Sequence, residues 1–494
     1  MFLELFSSYN EDAELIAGLK LAGVTRSASS VPRTQPLSRR LPCLALAFSL
    51  ALAACSAHAP PAEVPTNVVS DPKWVTELEG YRSILLPENV FGGNAHLLEV
   101  GPPTAPPMLL VHGIGDGGSR DFYPILPALA QNNHVYAVDL PGFGRSTHGS
   151  ALYSPDNYVR FLHDTIRPRI AGTFNLVGHS MGGAVSLLYA HRHPQDVSRL
   201  VLVDVAGILH REALVPFITQ AGIGKLFEPA GTITGVVSSI LVSRVPGPEA
   251  VLENDFARSQ LLSDGKKIAA AALIVHNFGP AIAESKVPTL LLWGRRDIVA
   301  PLRTATLLQA RLAHAHLEFL ENSSHVPMET EPALLATKLL NWLQAPLESP
   351  PPEPVPLARS GRCDHIQGAR FEGSYQDLEI VGCQNVQLSR VRARELRIWD
   401  SQVTIDATEL RSASVALYAA RSEVQVTGCV LLGPTAMVLD GTELDVAGTD
   451  VIGQVAAVKT REPSRILFSA SRLVTAQQQR YLHEVVELQT GQAI

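Results

Sequence analysis

The chain has 494 residues, too many for one ordinary core, so two or three domains are expected. A formal net charge of −7, with no long basic run, argues against nucleic acid as a main partner. Apolar residues make up 46%, which is ordinary for a folded chain once one N-terminal stretch is set aside.

That stretch starts at Arg39-Arg40, continues as an apolar run of about 14 residues and closes on Leu52-Ala53-Ala54-Cys55. A basic pair, a short apolar segment and small residues have the layout of a secretory signal and are short for a membrane span. Leu52-Ala53-Ala54-Cys55 also resembles the bacterial lipobox, which implies lipid attachment at Cys55 as the mature N-terminus. Ser56 in place of Asp after the cysteine implies, by the same resemblance, the outer membrane. A plain signal peptide cut elsewhere and a single anchor helix are the alternatives. Glu4, Glu11, Asp12 and Glu14 are unusual in an export leader and leave the true start codon open. The expected location is the cell envelope, periplasmic or surface-facing, with the membrane reached through the lipid.

Residues 1–55 thus form an extension and signal, and the Pro/Ala-rich residues 56–73 a flexible tether. A folded unit is expected over 74–345. Its opening strands fall near 83–86 and 95–100, and Met108-Leu109-Leu110-Val111 reads as a strand buried on both faces. Helix character at 126–130, a strand at 134–139 and an amphipathic helix at 158–166 follow. Apolar strands recur at 174–178, 200–204, 289–293 and 317–320. This alternation predicts a mostly parallel sheet with helices on both faces, and ligands beyond the carboxyl ends of the strands. Between about 208 and 286 the alternation breaks into apolar helical stretches at 215–218, 226–227 and 236–242, which read as a cap over that edge.

At the end of one strand stands Gly178-His179-Ser180-Met181-Gly182, followed by a good helix. A strand turning sharply into a helix strains the residue between them and lifts the Ser180 hydroxyl clear, and side chains at the two glycines would collide with neighbours. A serine needs a base, itself held by an acid. Asp297 lies in the turn after a later strand, within Trp293-Gly294-Arg295-Arg296-Asp297, and His325 lies in the loop after the last one. Asp204 is the reserve acid. His179 is expected to line the pocket, His112 to shape the loop beside it, and Asp139 to tie its own loop.

With these motifs the chain from about 74 to 343 resembles the serine hydrolases of the α/β-hydrolase superfamily, including lidded esterases and carbon–carbon bond hydrolases. The matching pieces are His112-Gly113-Ile114-Gly115-Asp116-Gly117-Gly118, Asp139-Leu140-Pro141-Gly142-Phe143-Gly144-Arg145-Ser146, the Ser180 turn, the Asp297 turn and the His325 loop. The resemblance implies catalysis by Ser180, Asp297 and His325, and backbone N–H groups of Ile114 and Met181 as the oxyanion hole. An acyl substrate, an ester or a related compound, is implied, with no cofactor. No His, Cys or acid cluster has metal-ligand spacing, so no metal is expected. A carbon–carbon hydrolase, a peptidase and a non-catalytic surface-binding lipoprotein are the competing readings.

The proline-rich residues 346–358 mark a boundary. Beyond it, over 359–494, Ile398, Tyr418, Val438 and Val458 recur every twenty or so residues, and Val386, Val403, Val424, Leu444 and Ile466 do the same. Short alternating strands at this period predict stacked coils of a right-handed parallel β-helix, with a β-sandwich as runner-up and a capping helix over 481–488. Arg390, Arg392 and Arg394 alternate along one strand and could meet an anionic glycan or headgroup, and Trp399 a sugar, although a solvated face and core packing explain them as well. Protein contact by this domain is a further option. Cys363, Cys383 and Cys429 allow one disulfide and a buried thiol, or three thiols.

Overall fold

A computed structural model describes residues 70–214, 248–262, 264–346 and 359–494. The signal, Cys55 and most of the tether lie outside the described residues, as do the three helical stretches expected between 215 and 242 and nearly all of the proline-rich boundary. Asp71, which the sequence reading put in the tether, is a buried anchor. Its carboxylate accepts from the hydroxyls of Tyr81 and Tyr123 and pairs with Arg145 Nη1 at 2.8 Å.

The first domain is built on an eight-stranded sheet in the order β1-β2-β4-β3-β5-β6-β7-β8. The strands are β1 (Arg82–Glu88), β2 (Gly93–Val100), β3 (Pro107–Val111), β4 (His134–Val138), β5 (Phe174–His179), β6 (Val197–Val203), β7 (Thr289–Gly294) and β8 (Ala315–Leu320). β2 runs antiparallel to both its neighbours, and the rest pair in parallel. Central strands such as β3 and β7 are apolar along nearly their whole length because helices cover both faces. The helices named below are α1 (Pro155–Phe161), α2 (Met181–Arg192), α3 (Pro248–Glu253), α4 (Asp255–Leu261), α5 (Gly265–Val275), α6 (Gly279–Glu284), α7 (Leu302–Arg311) and α8 (Pro332–Gln344). Ser154 caps α1, its hydroxyl accepting the Asn157 N–H, and the amphipathic segment continues past Phe161 as a wider turn over Leu162–Ile166. Helices α3 to α6 fall between β6 and β7, where the strand–helix alternation stops, and form the described part of the cap.

Residues 361–488 form an all-β domain of sixteen strands whose chain climbs through three columns of parallel pairs, a β-helix-like stack. One column pairs Val386 with Val403, Val403 with Val424, Val424 with Leu444 and Leu444 with Ile466, the second series expected from the sequence. The first series is corrected. Ile398 pairs with Ala419 and Tyr418 with Val438, whereas Val458 pairs with Met437. The coils differ in length, so a fixed spacing drifts from the inner face to the outer one. The inward set is Leu396, Ile398, Leu417, Ala419, Met437, Leu439 and Val458, all fully buried.

Corners between columns are left-handed residues stacked coil over coil. Asp400, Arg421 and Gly441 make one such corner; Ala407, Gly428, Gly448 and Ala470 make another. Just after each corner a buried hydroxyl accepts a backbone N–H from the coil below, as Ser422 does from Ser401 and Thr449 from Cys429. Cys429 fills one rung of the second ladder, its sulfur accepting the Thr408 N–H. Burial pushes this thiol up to about 12, so it is an inert structural group. Cys363 and Cys383 are joined as a disulfide across the first coils.

Residues 481–488 are not helical. β23 (Gln479–Leu482) and β24 (Val485–Leu488) pair antiparallel with β22 (Ser471–Thr475) and β21 (Ser464–Ser469), ending the run of parallel pairs. The 3.6-residue spacing of apolar positions was misleading here because an alternating strand pair buries Leu482 and Leu488 at similar intervals.

The two domains are packed together. A Cβ on Gly448 would lie 2.3 Å from Leu307 Cγ and one on Gly428 2.6 Å from the Ala310 Cβ, so two glycine corners admit α7. Arg311 pairs with Asp450 at 2.7 Å, and Asp450 is also held by Arg472. On the cap side the Ser469 hydroxyl accepts the His210 N–H, and the Asn277 amide donates to the Tyr481 carbonyl.

Candidate active site

The turn from β5 into α2 leaves Ser180 at φ 53°, ψ −120°, the strained geometry expected between strand and helix. No Cβ is tolerated around it. One on Gly182 would stand 2.2 Å from the Val111 carbonyl oxygen, and one on Gly178 2.4 Å from that of Gly182. Ser180 is therefore fixed at the carboxyl edge of the sheet, at the N-terminus of α2.

The structure brings the three distant side chains together. His325 Nε2 lies 2.9 Å from Ser180 Oγ, and His325 Nδ1 lies 2.8 Å from Asp297 Oδ2. All three are buried. Asp297 occupies the turn after β7, where its other oxygen accepts the N–H groups of Val299 and Ala300 at 2.7 and 3.0 Å. The Trp293 indole closes that turn by donating to the Ala300 carbonyl. With Asp297 as acceptor, Nδ1 carries the imidazole proton and Nε2 faces the serine as acceptor.

Asp204 sits at the end of β6 but does not reach the imidazole. Its Oδ1 accepts the Gly294 N–H at 2.8 Å, and its Oδ2 has no partner among the described residues. Burial, and then the neighbouring Asp297 carboxylate, push its pKa well above the usual carboxylate range.

His179 is corrected. It is fully buried behind the site rather than lining a pocket, with Nε2 2.7 Å from the His325 carbonyl oxygen. Burial drives it down to about 3, so this imidazole is a neutral donor that holds the histidine loop. Its proximity to Ser180 in the sequence carried no hint of that contact. On the same loop, Glu331 accepts from the Ser323 hydroxyl at 2.7 Å and the Asn322 N–H at 3.2 Å.

The loop after β3 passes over the serine. His112 Nε2 accepts the Leu140 N–H, and its Nδ1 lies 2.6 Å from the Gly113 carbonyl oxygen, so this ring does shape the loop. A Cβ on Gly113 would fall 2.8 Å from that of Ser180. Neither the Ile114 N–H nor the Met181 N–H donates within the protein among the described residues, and Ile114 and Ser180 line one cavity. Asp139 ties the flanking loops, accepting from the N–H groups of Ser119 and Arg145. Burial would raise its pKa, but His96 and Arg145 beside it hold the carboxylate well below the usual range.

Above Ser180 the cavity walls are Ala206, Leu209, Leu214, Ala270, Leu273, Ile274 and Val299, with Thr304 adding a hydroxyl. Two walls come from α5 of the cap and from the segment leading into α7.

Residues 108–338 match the model of the Alpha/beta hydrolase family. The first domain has the α/β-hydrolase fold. Lipase 1 of Psychrobacter immobilis is 28% identical to the chain over 314 residues, 59% of this chain and 93% of that protein. The 2-hydroxy-6-oxo-6-(2'-aminophenyl)hexa-2,4-dienoic acid hydrolase of Metapseudomonas resinovorans is 27% identical, over 52% of this chain and 89% of its own. Among solved structures, an esterase from Exiguobacterium antarcticum aligns with a TM-score of 0.41 at 19% identity, over 53% of this chain and 100% of its own. Neither alignment has the length to take in both domains whole.

Proposed function

We propose that the chain is a serine hydrolase that cleaves an ester of an apolar acyl group through an acyl-enzyme on Ser180. The observation that carries this reading is the hydrogen-bonded line from Ser180 Oγ through His325 to Asp297 at the carboxyl edge of the hydrolase sheet. His325 Nε2 takes the hydroxyl proton as Ser180 Oγ bonds to the substrate carbonyl carbon. Negative charge gathers on the carbonyl oxygen, and the free N–H groups of Ile114 and Met181 receive it, each worth roughly 3 kcal/mol of barrier. His325 then returns the proton to the leaving alkoxide, and a water activated by the same nitrogen releases the acid. Asp297 keeps the ring in the productive tautomer and stabilises the imidazolium.

The apolar cavity favours an ester of a hydrophobic acid over the dienoate in the name of the Metapseudomonas relative. Among the described lining residues there is no cation to meet a substrate carboxylate. Hydrolysis of a p-nitrophenyl butyrate ester tests the reading. Wild-type protein should turn it over and a folded Ser180→Ala variant should not; equal rates from the two would remove the mechanism.

Export belongs to the same proposal. The Cys363–Cys383 disulfide supports an oxidising compartment, in line with lipid attachment at Cys55 and an envelope location.

A further inference from the structure

Outward arginines of the all-β domain are mostly neutralised by acids a coil away. Arg362 pairs with Glu379, Arg390 with Glu372, Arg392 with Glu409, Arg394 with Asp377 and Arg421 with Asp400. The three arginines 390, 392 and 394 are thus occupied, and Arg390 turns a corner at φ 50°, so they do not share one face. An anion has little to gain there.

Among the described residues the ladder lapses at Arg461, as it does at Arg359 and Arg370 nearer the start of the domain. Arg461, exposed just after β20 (Asp450–Thr460), makes no ion pair among the described residues and stands over the Tyr418 ring, 5.4 Å from its centre. Tyr418 is held by its hydroxyl on Asp440 and meets the half-buried Trp399 at 5.6 Å between ring centres. These three side chains, with Glu395, Arg397 and Ser414, line an open groove of about 410 Å³, within the roughly 300–1,000 Å³ range of small-ligand sites.

We propose that this groove binds an acidic pyranose of a glycan chain. The apolar C–H face of a pyranose matches a partly exposed indole, which presents a flat apolar body at little entropic cost. A ring carboxylate matches the unpaired guanidinium of Arg461, a charge-assisted and directional contact. The Arg397–Glu395 pair, 2.5 Å apart, offers both donors and acceptors to hydroxyls. Single-stranded nucleic acid would stack on the same rings and is the competing occupant that the test must exclude.

Calorimetric titration of the full chain with tetramannuronate should give saturable binding, with neutral mannotetraose weaker by about fivefold or more. Trp399→Ala should abolish both, and Arg461→Gln, an exposed change that spares the fold, should weaken tetramannuronate by about tenfold and leave mannotetraose alone. Butyrate-ester turnover should be unchanged in both variants, and because binding is read without turnover it stands or falls apart from the hydrolase reading. No saturable binding of tetramannuronate, binding unaltered by both substitutions, or saturable binding of an oligothymidylate in its place would overturn the proposal.

Discussion

Arg303 of the hydrolase domain forks onto Asp445 of the all-β domain, with Nη1 2.5 Å from Oδ2 and Nη2 3.1 Å from Oδ1. Its remaining bonds go to Thr427 Oγ1 and to the carbonyls of Val426 and Asp445. Arg303 stands at the start of α7, next to Thr304 and two residues after Pro301, both of which line the cavity, and six residues after Asp297. The second domain therefore braces the helix that carries one pocket wall and follows the acid turn. On the opposite wall, His483 meets the Ile274 carbonyl at the end of α5.

Breaking this fork should cost both stability and catalysis. Arg303→Ala leaves a half-buried carboxylate without its partner, and Asp445→Ala leaves the converse. Each should lower the melting temperature and reduce kcat/KM on the butyrate ester by about three- to tenfold. The double variant should be less impaired than the sum, with a coupling of about 1–3 kcal/mol in thermal unfolding. Strict additivity would show that the fork holds nothing.

The two acids at the strand ends should respond differently to amidation. Asp297→Asn offers His325 a donor or the wrong tautomer and should lower kcat by about 10⁴. Asp204 bonds the Gly294 N–H and not the imidazole, so Asp204→Asn should keep kcat within about tenfold of wild type. Steady-state kinetics of the two variants decides this, and a larger loss at 204 would make it the working acid.

Asp121 lies beneath the glycine loop, where a Cβ on Gly117 would stand 2.3 Å from its Oδ1. Burial, then the charges of Glu329, Asp139 and Asp116, push its carboxyl up to about 7. The folded state holds this proton more tightly than the unfolded one, so its contribution is present below about pH 4 and is lost as pH rises through about 7. Asp121→Asn should flatten that fall. Melting temperatures of both proteins between pH 4 and 8 should diverge toward the alkaline end, with the variant higher; parallel curves would contradict the assignment.

Removing the Cys363–Cys383 bridge should loosen the first coils. The cysteines are 20 residues apart, and a loop of that size is worth roughly 3 kcal/mol. The double serine variant should unfold earlier by circular dichroism in the strand region, with ester turnover per folded molecule retained, because α7 contacts later coils. Loss of turnover in a folded variant would contradict that separation.

Much of this was legible before any coordinates. The sheet, the Ser180 turn and the inward Val386 series follow from short-range rules: apolar runs mark strands buried on two faces, and the glycines at 178 and 182 mark backbones that touch. Asp297 and His325 were legible because each follows a strand whose edge the fold brings to the same side. What escaped depended on partners far away in the chain. The grip of His179 on the His325 carbonyl, the raised pKa of Asp204 and the burial of the Asp71 carboxylate are set by what packs against them. The strands at 479–488 escaped because apolar spacing over ten residues suits a helix or a strand pair equally. The register of Tyr418 escaped because the coils differ in length.

The most direct test is covalent. Incubation of the full chain with a fluorophosphonate, followed by peptide mass spectrometry, should place one adduct on Ser180, lost in Ser180→Ala and strongly slowed in His325→Ala. An unmodified Ser180 in folded wild-type protein, or labelling that persists without His325, would contradict a serine made nucleophilic by that imidazole.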